Sequence, residues 1–451
     1  MAKAFISFLG TGNYTKCRYS FKNESGNVVK YVQEDVINRF CRDWNREDEI
    51  RIFTTDEAKK LNWDDNGHKD YKTKEIIVNT GLGKSLENMK LNASVKRYDI
   101  PVGNSEDEIW QIFQTVYDSL KENEEIIFDI THSFRSIPML FMVLVGYARL
   151  IKNISVKAIY YGAFEVLGHP SEVEKKIPED ERVAPIFDLT SFEKLIEWTE
   201  ATQSFVKNGS AAELASLANK DIGLVMRGNS YKEEKAVAEE IRYIVNGINK
   251  ISQNIMVNRG AEIIKYDYGW LKDKLETVQR SDIFIKPLAP LMKVIEKKID
   301  GFVKDDVNNG FKAVQWALEH GLYQQGITML QENIITLILA KENLDWGLKE
   351  NRSAASAAFN RTADKKKTED NAGQENDEKD KEAFENMVKQ LQQNQLVIDF
   401  AGVFESLRNI SNDVNHGGFL TEIDKKSNNA QSIKDRFKKA YSEIFSKFGN
   451  L

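Results

Sequence analysis

Short strand-like runs alternate with amphipathic helical stretches up to about residue 190, and this alternation constrains the fold more than any other feature of the chain. The strand-like runs are Lys3–Leu9, Glu49–Thr54, Glu75–Asn79, Ile126–Ile130, Val156–Tyr161 and Ala184–Leu189. Helical patterns fall between them, most clearly at Glu106–Leu120 and Pro138–Ile151. Alternation of this kind predicts an α/β fold with a mostly parallel sheet and helices on its faces.

The chain changes character near residue 190. Ser191 opens a helical pattern with a hydroxyl N-cap and an early acidic residue, Glu193. Helical periodicity then dominates, and its clearest stretches are Phe311–Leu339 and Asn386–Asn409. Because 451 residues are too many for one hydrophobic core, we predict an α/β domain at residues 1–190 and an all-α domain at residues 191–451.

A polar segment interrupts the helical half. Thirteen of the nineteen residues from Asp364 to Glu382 are charged, and none is aromatic. A segment of this composition buries too little apolar area to offset the entropy of ordering it. We therefore predict a disordered insert at about residues 352–382.

Composition excludes several classes of protein. The net charge of −6 argues against a surface coated for duplex DNA, although it leaves room for a local basic pocket. Two cysteines, Cys17 and Cys41, are too few for a disulfide scaffold or a cysteine-based zinc site. The longest uncharged apolar stretch, Ile137–Ala148, is shorter than the roughly 20 residues that span a bilayer, and the N-terminus lacks the apolar core of a signal peptide. We expect a cytoplasmic protein with no membrane partner.

The segment Asp129–Pro138 carries a carboxylate, three hydroxyls, an imidazole and a guanidinium between a strand-like run and a helical one. Turns in this position hold the ligands of open α/β sheets. Arg135 falls at the start of the helical run, where a cation is unfavourable unless an anion is nearby. The segment therefore predicts contact with a polar, anionic ligand. The alternative is structural, with Asp129 as a cap and His132 as an interior histidine.

Two further motifs are weaker on their own. Gly10-Thr11-Gly12-Asn13 follows the first strand and suits either a tight turn or a ligand-binding loop, because it lacks the third glycine of a dinucleotide fingerprint. Arg408 and His416 supply the cation and the near-neutral titratable group that a metal-independent ribonuclease needs. The glycine pair after His416 equally suits a simple helix end.

Together these motifs resemble a known family. Phe8–Tyr14 and Asp129–Ser136 resemble the sensor signature of CRISPR-associated CARF proteins, in the branch marked by an Asp-x-Thr-His motif. Leu407–Asn409 with His416–Gly418 resembles the Arg-Asn…His motif of HEPN ribonucleases. The resemblance implies a Rossmann-like CARF domain that binds a cyclic oligoadenylate, followed by an all-α HEPN domain that cuts single-stranded RNA. It also implies a homodimer or a higher oligomer, no metal and no cofactor, and an activator that by analogy is cyclic tetra-adenylate.

The same resemblance assigns the site residues. The catalytic set is Arg408, Asn409 and His416, and it implies products that end in a 2′,3′-cyclic phosphate. The ligand-binding set is Gly10, Thr11, Gly12, Asn13, Thr131, His132, Ser133, Arg135, Gly162 and Ala163.

One departure from the HEPN motif leaves other functions open. Seven residues separate Arg408 from His416, where the motif usually has four to six. On an ideal helix this eight-residue step turns His416 by about 80° from the face of Arg408. Convergence would then need a break near Asn412–Asp413 or a site assembled across a dimer. The alternatives are a CARF regulator with an inactive HEPN domain, and a ring nuclease that cleaves the cyclic messenger in the CARF domain.

Overall fold

The computed structural model describes residues 2–70, 72–132, 137–227, 232–279, 288–363, 378–419 and 428–448. The chain divides into two compact units, Met1–Ile196 and Glu197–Leu451. The division lies six residues beyond the predicted boundary at residue 190, inside a helix that runs from Thr190 to Asn208.

The first unit is built on one eight-stranded sheet. Its strands are β1 (Lys3–Leu9), β2 (Cys17–Phe21), β3 (Glu24–Val29), β4 (Glu49–Thr54), β5 (Ser94–Asp99), β6 (Glu125–Asp129), β7 (Ser155–Gly162) and β8 (Val183–Asp188). Their order across the sheet is β3-β2-β8-β7-β6-β1-β4-β5. The five strands from β7 to β5 are parallel to one another, whereas β8 is antiparallel to β7 and β3 is antiparallel to β2.

Helices cover both faces of this sheet. They are α1 (Val32–Phe40), α2 (Asp56–Ala58, continued by a π-helical turn at Lys59–Trp63), α3 (Leu82–Asn88), α4 (Glu106–Ser119), α5 (Ile137–Lys152), α6 (Pro170–Lys176) and the start of α7 (Thr190–Asn208). Successive residues of β1 point to opposite faces, so Phe5 packs with Val36 of α1 while Ile6 packs with Phe113 of α4 and Leu144 of α5. The predicted α/β class is confirmed.

The sequence identified the buried strands and missed the exposed ones. Lys3–Leu9 and Glu49–Thr54 have the predicted bounds, and the three later strands lie within one residue of theirs. Glu75–Asn79 is not a strand, because only Ile76 forms an isolated bridge, with Lys69. The β2–β3 hairpin was missed; its turn residues Lys22 and Asn23 both have positive φ, which suits a two-residue hairpin turn.

The second unit contains only helices among its described secondary structure. After α7 these are α8 (Ala212–Arg227), α9 (Lys232–Met256), α10 (Gly260–Lys265), α11 (Tyr268–Gln279), α12 (Leu288–Ile299), α13 (Asn308–Glu319), α14 (Tyr323–Lys341), α15 (Lys349–Ala363), α16 (Glu378–Gln392), α17 (Gln395–Asn415) and α18 (Ala430–Phe448). The two long predicted helices are each divided in two: Phe311–Leu339 breaks after α13, where Gly321 has φ of 70°, and Asn386–Asn409 breaks before α17.

The predicted disordered insert at 352–382 is wrong for its first third. Residues 352–363 belong to α15, whose Ala354, Ala358 and Phe359 are fully buried. Phe359 stacks on Phe404 of α17 with the ring centroids 4.3 Å apart. The small alanines let α15 pack closely, so residues 352–363 bury apolar area. The highly charged composition of residues 364–382 led the prediction to extend over this buried segment as well. Residues 378–382 start α16, and 364–377 lie outside the described residues.

Candidate functional site

The sensor motifs meet at the point where the sheet reverses its strand order. β1 lies between β4 and β6, and Ser7 of β1 is in register with Asp129 of β6. The chain leaves the carboxyl ends of these two parallel strands at the crevice where such sheets bind ligands. The rings of Tyr14 and His132 stack there with centroids 4.2 Å apart. The structure therefore brings Gly10–Asn13 and Thr131–His132 together.

A buried asparagine holds the glycine loop from behind. Asn62, which is fully buried, donates from Nδ2 to the carbonyls of Gly10 at 2.9 Å and Gly12 at 2.8 Å. Its Oδ1 lies 3.0 Å from Nε2 of His68, and the imidazole must be the donor because an amide oxygen only accepts. Both carbonyls thus face the protein interior, while Thr11 and Asn13 are exposed.

Gly10 cannot be replaced by a larger residue without rearrangement. A Cβ at this position would lie 2.6 Å from the Tyr14 hydroxyl oxygen. The tyrosine in turn packs edge-on against Tyr31, with the ring centroids 5.8 Å apart. Position 10 therefore requires glycine because the backbone there approaches the Tyr14 side chain closely.

Asp129 shapes the second turn. Its buried carboxylate accepts hydrogen bonds from the Ser7 hydroxyl at 2.7 Å, the Thr131 hydroxyl at 2.5 Å and the Thr131 amide at 3.1 Å. Burial raises the pKa of Asp129, and these hydrogen bonds partly oppose that rise. The Thr131 oxygen also accepts from the Gly162 amide at 2.8 Å. The Thr131 hydroxyl therefore joins β6 to β7, and the structural interpretation of Asp129 is the better one.

Gly162 and Ala163 lie behind the site rather than on its exposed face. Both are buried, and Ala163 is 1% exposed. A Cβ on Gly162 would lie 2.5 Å from Val32 and 3.1 Å from Tyr19, so this glycine permits β7 to pack closely. The structure thus buries both of these predicted ligand-binding residues: the Gly162 amide donates to Thr131, and the Ala163 amide donates to the Pro185 carbonyl at 2.9 Å.

His132 has an altered acidity. Burial lowers its pKa to about 4, so the imidazole is neutral near pH 7. A neutral ring stacked on Tyr14 presents hydrogen-bonding and aromatic surface without a charge. The other two members of the predicted sensor set in this turn, Ser133 and Arg135, lie outside the described residues.

Sequence reasoning missed the residues that brace this site. Asn62 and His68 follow β4 in a π-helical turn and loop with no periodic pattern, so no spacing rule points to them. Gln33 of α1 also donates from Nε2 to the Ser7 hydroxyl and to the Phe8 carbonyl, both at 3.1 Å. These contacts come from tertiary structure alone.

The helical unit carries the second candidate site on α17. Arg408 is 37% exposed and donates from Nη1 to Oδ1 of Asn360 on α15 at 2.6 Å. Its Nη2 also lies 4.0 Å from Oε1 of Glu405, one helical turn earlier. Asn409 and His416 are exposed.

Helix α17 is continuous between Arg408 and His416. It extends to Asn415, and His416 ends it with its amide donating to the Asn412 carbonyl at 3.0 Å. Gly417 and Gly418 follow with φ of 63° and 69°, so the interpretation of this pair as a helix end is correct. No break occurs near Asn412. An intact helix separates the Arg408 and His416 backbones by about 12 Å along its axis and about 80° around it.

Asn409, by contrast, lies on the same face of α17 as His416. A seven-residue step turns an ideal helix by only about 20° from a complete number of turns. Asp413, on the next turn, accepts from the amide and the side chain of Asn428, at 2.9 and 2.8 Å. This contact holds the residues just before α18 beside the end of α17.

Two negative observations apply to the described residues as a whole. Within these ranges no helix combines the length and apolar character that crossing a membrane requires. Nor do three or more His, Cys, Asp or Glu side chains gather, among the same residues, in an arrangement that could hold a metal ion.

Comparison with known proteins identifies the first unit. Residues 4–165 match the family model of the CARF domain of the CRISPR system endoribonuclease Csx1. Residues 194–303 match the model of the second domain of the CRISPR-associated protein MJ1674, and neither match reaches Arg408 or His416. The sheet unit is thus a CARF domain.

A curated relative points the same way. The CRISPR-associated protein MJ1674 of Methanocaldococcus jannaschii is 26% identical over 306 residues, which are 66% of this chain and 42% of the relative. The chain therefore spans less than half of that protein's length. With the two domain matches, this relative supports the predicted resemblance of the chain to CRISPR-associated CARF proteins.

One solved structure aligns along most of the chain. Enterococcus italicus Csm6 bound to cyclic hexa-2′-fluoro-hexa-dAMP is 12% identical, and the alignment covers 99% of this chain and 94% of that one. The TM-score of this alignment is 0.39.

Proposed function

We propose that this protein is a cyclic-oligoadenylate-activated, metal-independent endoribonuclease that cuts single-stranded RNA in type III CRISPR defence in the cytoplasm. The observation that carries the proposal is the presence, in one chain, of a Csx1-type CARF match and an Arg408-Asn409…His416 motif exposed on one helix. The activator is a cyclic oligoadenylate, with cyclic tetra-adenylate as the first choice by analogy.

The geometry of the glycine loop supports an anionic ligand in the CARF domain. Asn62 turns the carbonyls of Gly10 and Gly12 inward, which removes the groups that would repel a phosphate. The exposed hydroxyl of Thr11 and amide of Asn13 then offer hydrogen bonds to the ligand. The neutral ring of His132, stacked on Tyr14, suits contact with a base or a ribose better than a charged side chain at this position would.

A face of α5 supports assembly as a dimer. Met139, Val143, Tyr147 and Leu150 are exposed along one side of this helix, Met139 by 75% and Leu150 by 82%. Apolar side chains at this spacing favour a helix packed against a partner. Because α5 starts at Ile137, five residues after His132, a second copy on this face would bring two copies of the Thr131–His132 segment close together.

The intact α17 helix supports a catalytic site shared by two copies. Within one chain Arg408 and His416 diverge by about 80°, whereas a two-fold axis can place Arg408 of one copy beside His416 of the other. Arg408 stabilises the charge that develops on the scissile phosphate. His416 moves the proton of the 2′-hydroxyl or of the leaving oxygen, and Asn409 shapes the site from the face that it shares with His416. Attack by the 2′-hydroxyl leaves a 2′,3′-cyclic phosphate.

The test is an RNA-cleavage assay in EDTA. Wild type, His416→Ala and the control Gln395→Ala, an exposed residue at the far end of α17, are incubated with fluorescent single-stranded RNA and either cyclic tetra- or hexa-adenylate. We expect activator-dependent cutting by wild type and the control, and none by His416→Ala. Loss of the cyclic messenger without RNA cutting would indicate a ring nuclease. Binding without either reaction would indicate a regulator.

Mixing two inactive variants tests whether the site is shared. An Arg408→Ala copy retains His416, and a His416→Ala copy retains Arg408, so a mixed dimer has one intact pair across its interface. We expect the mixture to recover RNA cutting after exchange of subunits. A mixture as inactive as its two components would place the pair within one chain and contradict the shared site.

A further inference from the structure

The proposed catalytic arginine is oriented by a helix that lies about fifty residues earlier in the sequence. Asn360 on α15 accepts a 2.6 Å hydrogen bond from Nη1 of Arg408. This contact is much shorter than the 4.0 Å that separates the guanidinium from the Glu405 carboxylate. With Nη1 fixed, the remaining donors of the fork are directed away from Asn360.

Asn360 is itself firmly placed. The preceding residue, Phe359, is fully buried and stacks on Phe404 of α17, with ring planes 12° apart. The following residue, Arg361, forms two hydrogen bonds with the Glu385 carboxylate of α16, at 2.7 and 2.9 Å. The Asn360 backbone therefore lies between an aromatic anchor and a bidentate ion pair.

The chemistry of the acceptor matters as much as its position. An amide oxygen accepts from a guanidinium and carries no charge, so it orients Arg408 and leaves its positive charge available to a phosphate. A carboxylate at the same place would hold the guanidinium more tightly and cancel that charge. Glu405, the carboxylate that lies near Arg408 within the described part of the chain, is partly exposed and at the limit of ion-pair distance.

We propose that Asn360 is a positioning residue for Arg408, holding the guanidinium in the orientation that stabilises the scissile phosphate. This inference rests on the proposed ribonuclease function. It assigns Asn360 no contact with RNA, and its effect passes entirely through Arg408.

The experiment compares steady-state RNA cleavage by wild type, Arg408→Ala, Asn360→Ala, Asn360→Asp and Asn360→Gln at saturating activator. Ser353→Ala is the matched control, because Ser353 is an exposed polar residue on the same helix. We expect Asn360→Ala to lower kcat about tenfold with little change in KM, as the loss of one hydrogen bond made to a transition-state group predicts. Asn360→Asp should lose more, because the guanidinium becomes neutralised, and Asn360→Gln should recover part of kcat.

Two further measurements separate positioning from folding. Thermal unfolding should be the same for Asn360→Ala and Asn360→Asp within a few degrees, although their kcat values differ. The double variant Arg408→Ala/Asn360→Ala should cut RNA no more slowly than Arg408→Ala, because a residue that acts through Arg408 has no effect once Arg408 is gone.

The outcomes distinguish this inference from the function on which it rests. If Arg408→Ala abolishes cutting while Asn360→Ala and Asn360→Asp behave as wild type, the positioning role is overturned and the ribonuclease stands. If Asn360→Asp is as active as Asn360→Gln, neutrality of the acceptor is irrelevant and the inference also fails. If Arg408→Ala cuts normally or wild type does not cut, the proposed function falls, and the role of Asn360 falls with it.

Discussion

Replacing Asn62 by alanine tests whether the sensor loop is held from the protein interior. Alanine removes the two hydrogen bonds to the Gly10 and Gly12 carbonyls and the one from His68, all at 2.8–3.0 Å. At about 1 kcal/mol for each lost hydrogen bond, we expect the free energy of unfolding of the first unit to fall by about 3 kcal/mol. Water that enters the space left by the amide would lower this figure rather than raise it.

Hydrogen exchange is the appropriate assay because it reads local stability in the full chain. Amides of β1 and of residues 10–16 should lose protection in Asn62→Ala, while those of α17 should not change. Asn104 is exposed and its backbone amide donates to Glu108, so Asn104→Ala keeps this hydrogen bond and provides the control. We also expect the activator concentration for half-maximal RNA cutting to rise at least about tenfold, because a disordered loop must be ordered again on binding.

A second variant identifies which contact matters. Asn62→Asp keeps an acceptor for His68 but places a carboxylate, in place of the donors, against two carbonyl oxygens. Because burial raises the pKa of a carboxylate, protonation at low pH should partly relieve this repulsion, so the variant should be less destabilised at pH 5 than at pH 8. An Asn62→Ala protein that exchanges and responds to the activator like wild type would refute the idea of a braced loop.

Two other predictions concern titration and a buried ion pair. The folded-state pKa of His132, about 4, is below the usual value of 6.5. The stability that neutral His132 contributes is therefore complete above pH 6.5 and lost as the pH falls through 4. An NMR titration of the His132 ring should show a midpoint near 4, and a midpoint near 6.5 would contradict the burial argument. Glu124 is fully buried and accepts from both terminal nitrogens of Arg51, at 2.8 and 2.7 Å. Among the described residues, Glu124→Ala leaves the buried Arg51 with Glu49 alone as a partner, and it should cost about 3 kcal/mol in urea unfolding. The control Glu122→Ala changes an exposed neighbouring residue and should cost little.

The sequence predicted those parts of the fold in which burial dominates. β1 and β4 are buried along nearly their whole length, so their apolar runs were readable, whereas β5 is mostly exposed and its sequence, Ser-Val-Lys-Arg-Tyr-Asp, has no such run. The parallel register of β1 and β6 then brings together the residues that follow these two strands. The division of Phe311–Leu339 depends on Gly321 at positive φ, which periodicity alone does not reveal.

The residues that hold the two candidate sites in place could not be predicted from burial or register. Both of them are asparagines that act through a neutral side-chain amide. Asn62 holds backbone carbonyls and Asn360 holds a guanidinium, in each case through a neutral amide. A lysine in place of Asn62 could donate to the same carbonyls but would bring a buried charge that needs a partner. An aspartate in place of Asn360 could accept from the arginine but would cancel the charge that a phosphate needs. An amide both donates and accepts at no electrostatic cost, so asparagine can orient either group without changing the charge that a polyanionic ligand or substrate meets. Asparagine is also common in loops and on helix surfaces, which is why composition and spacing did not single out these two among the others.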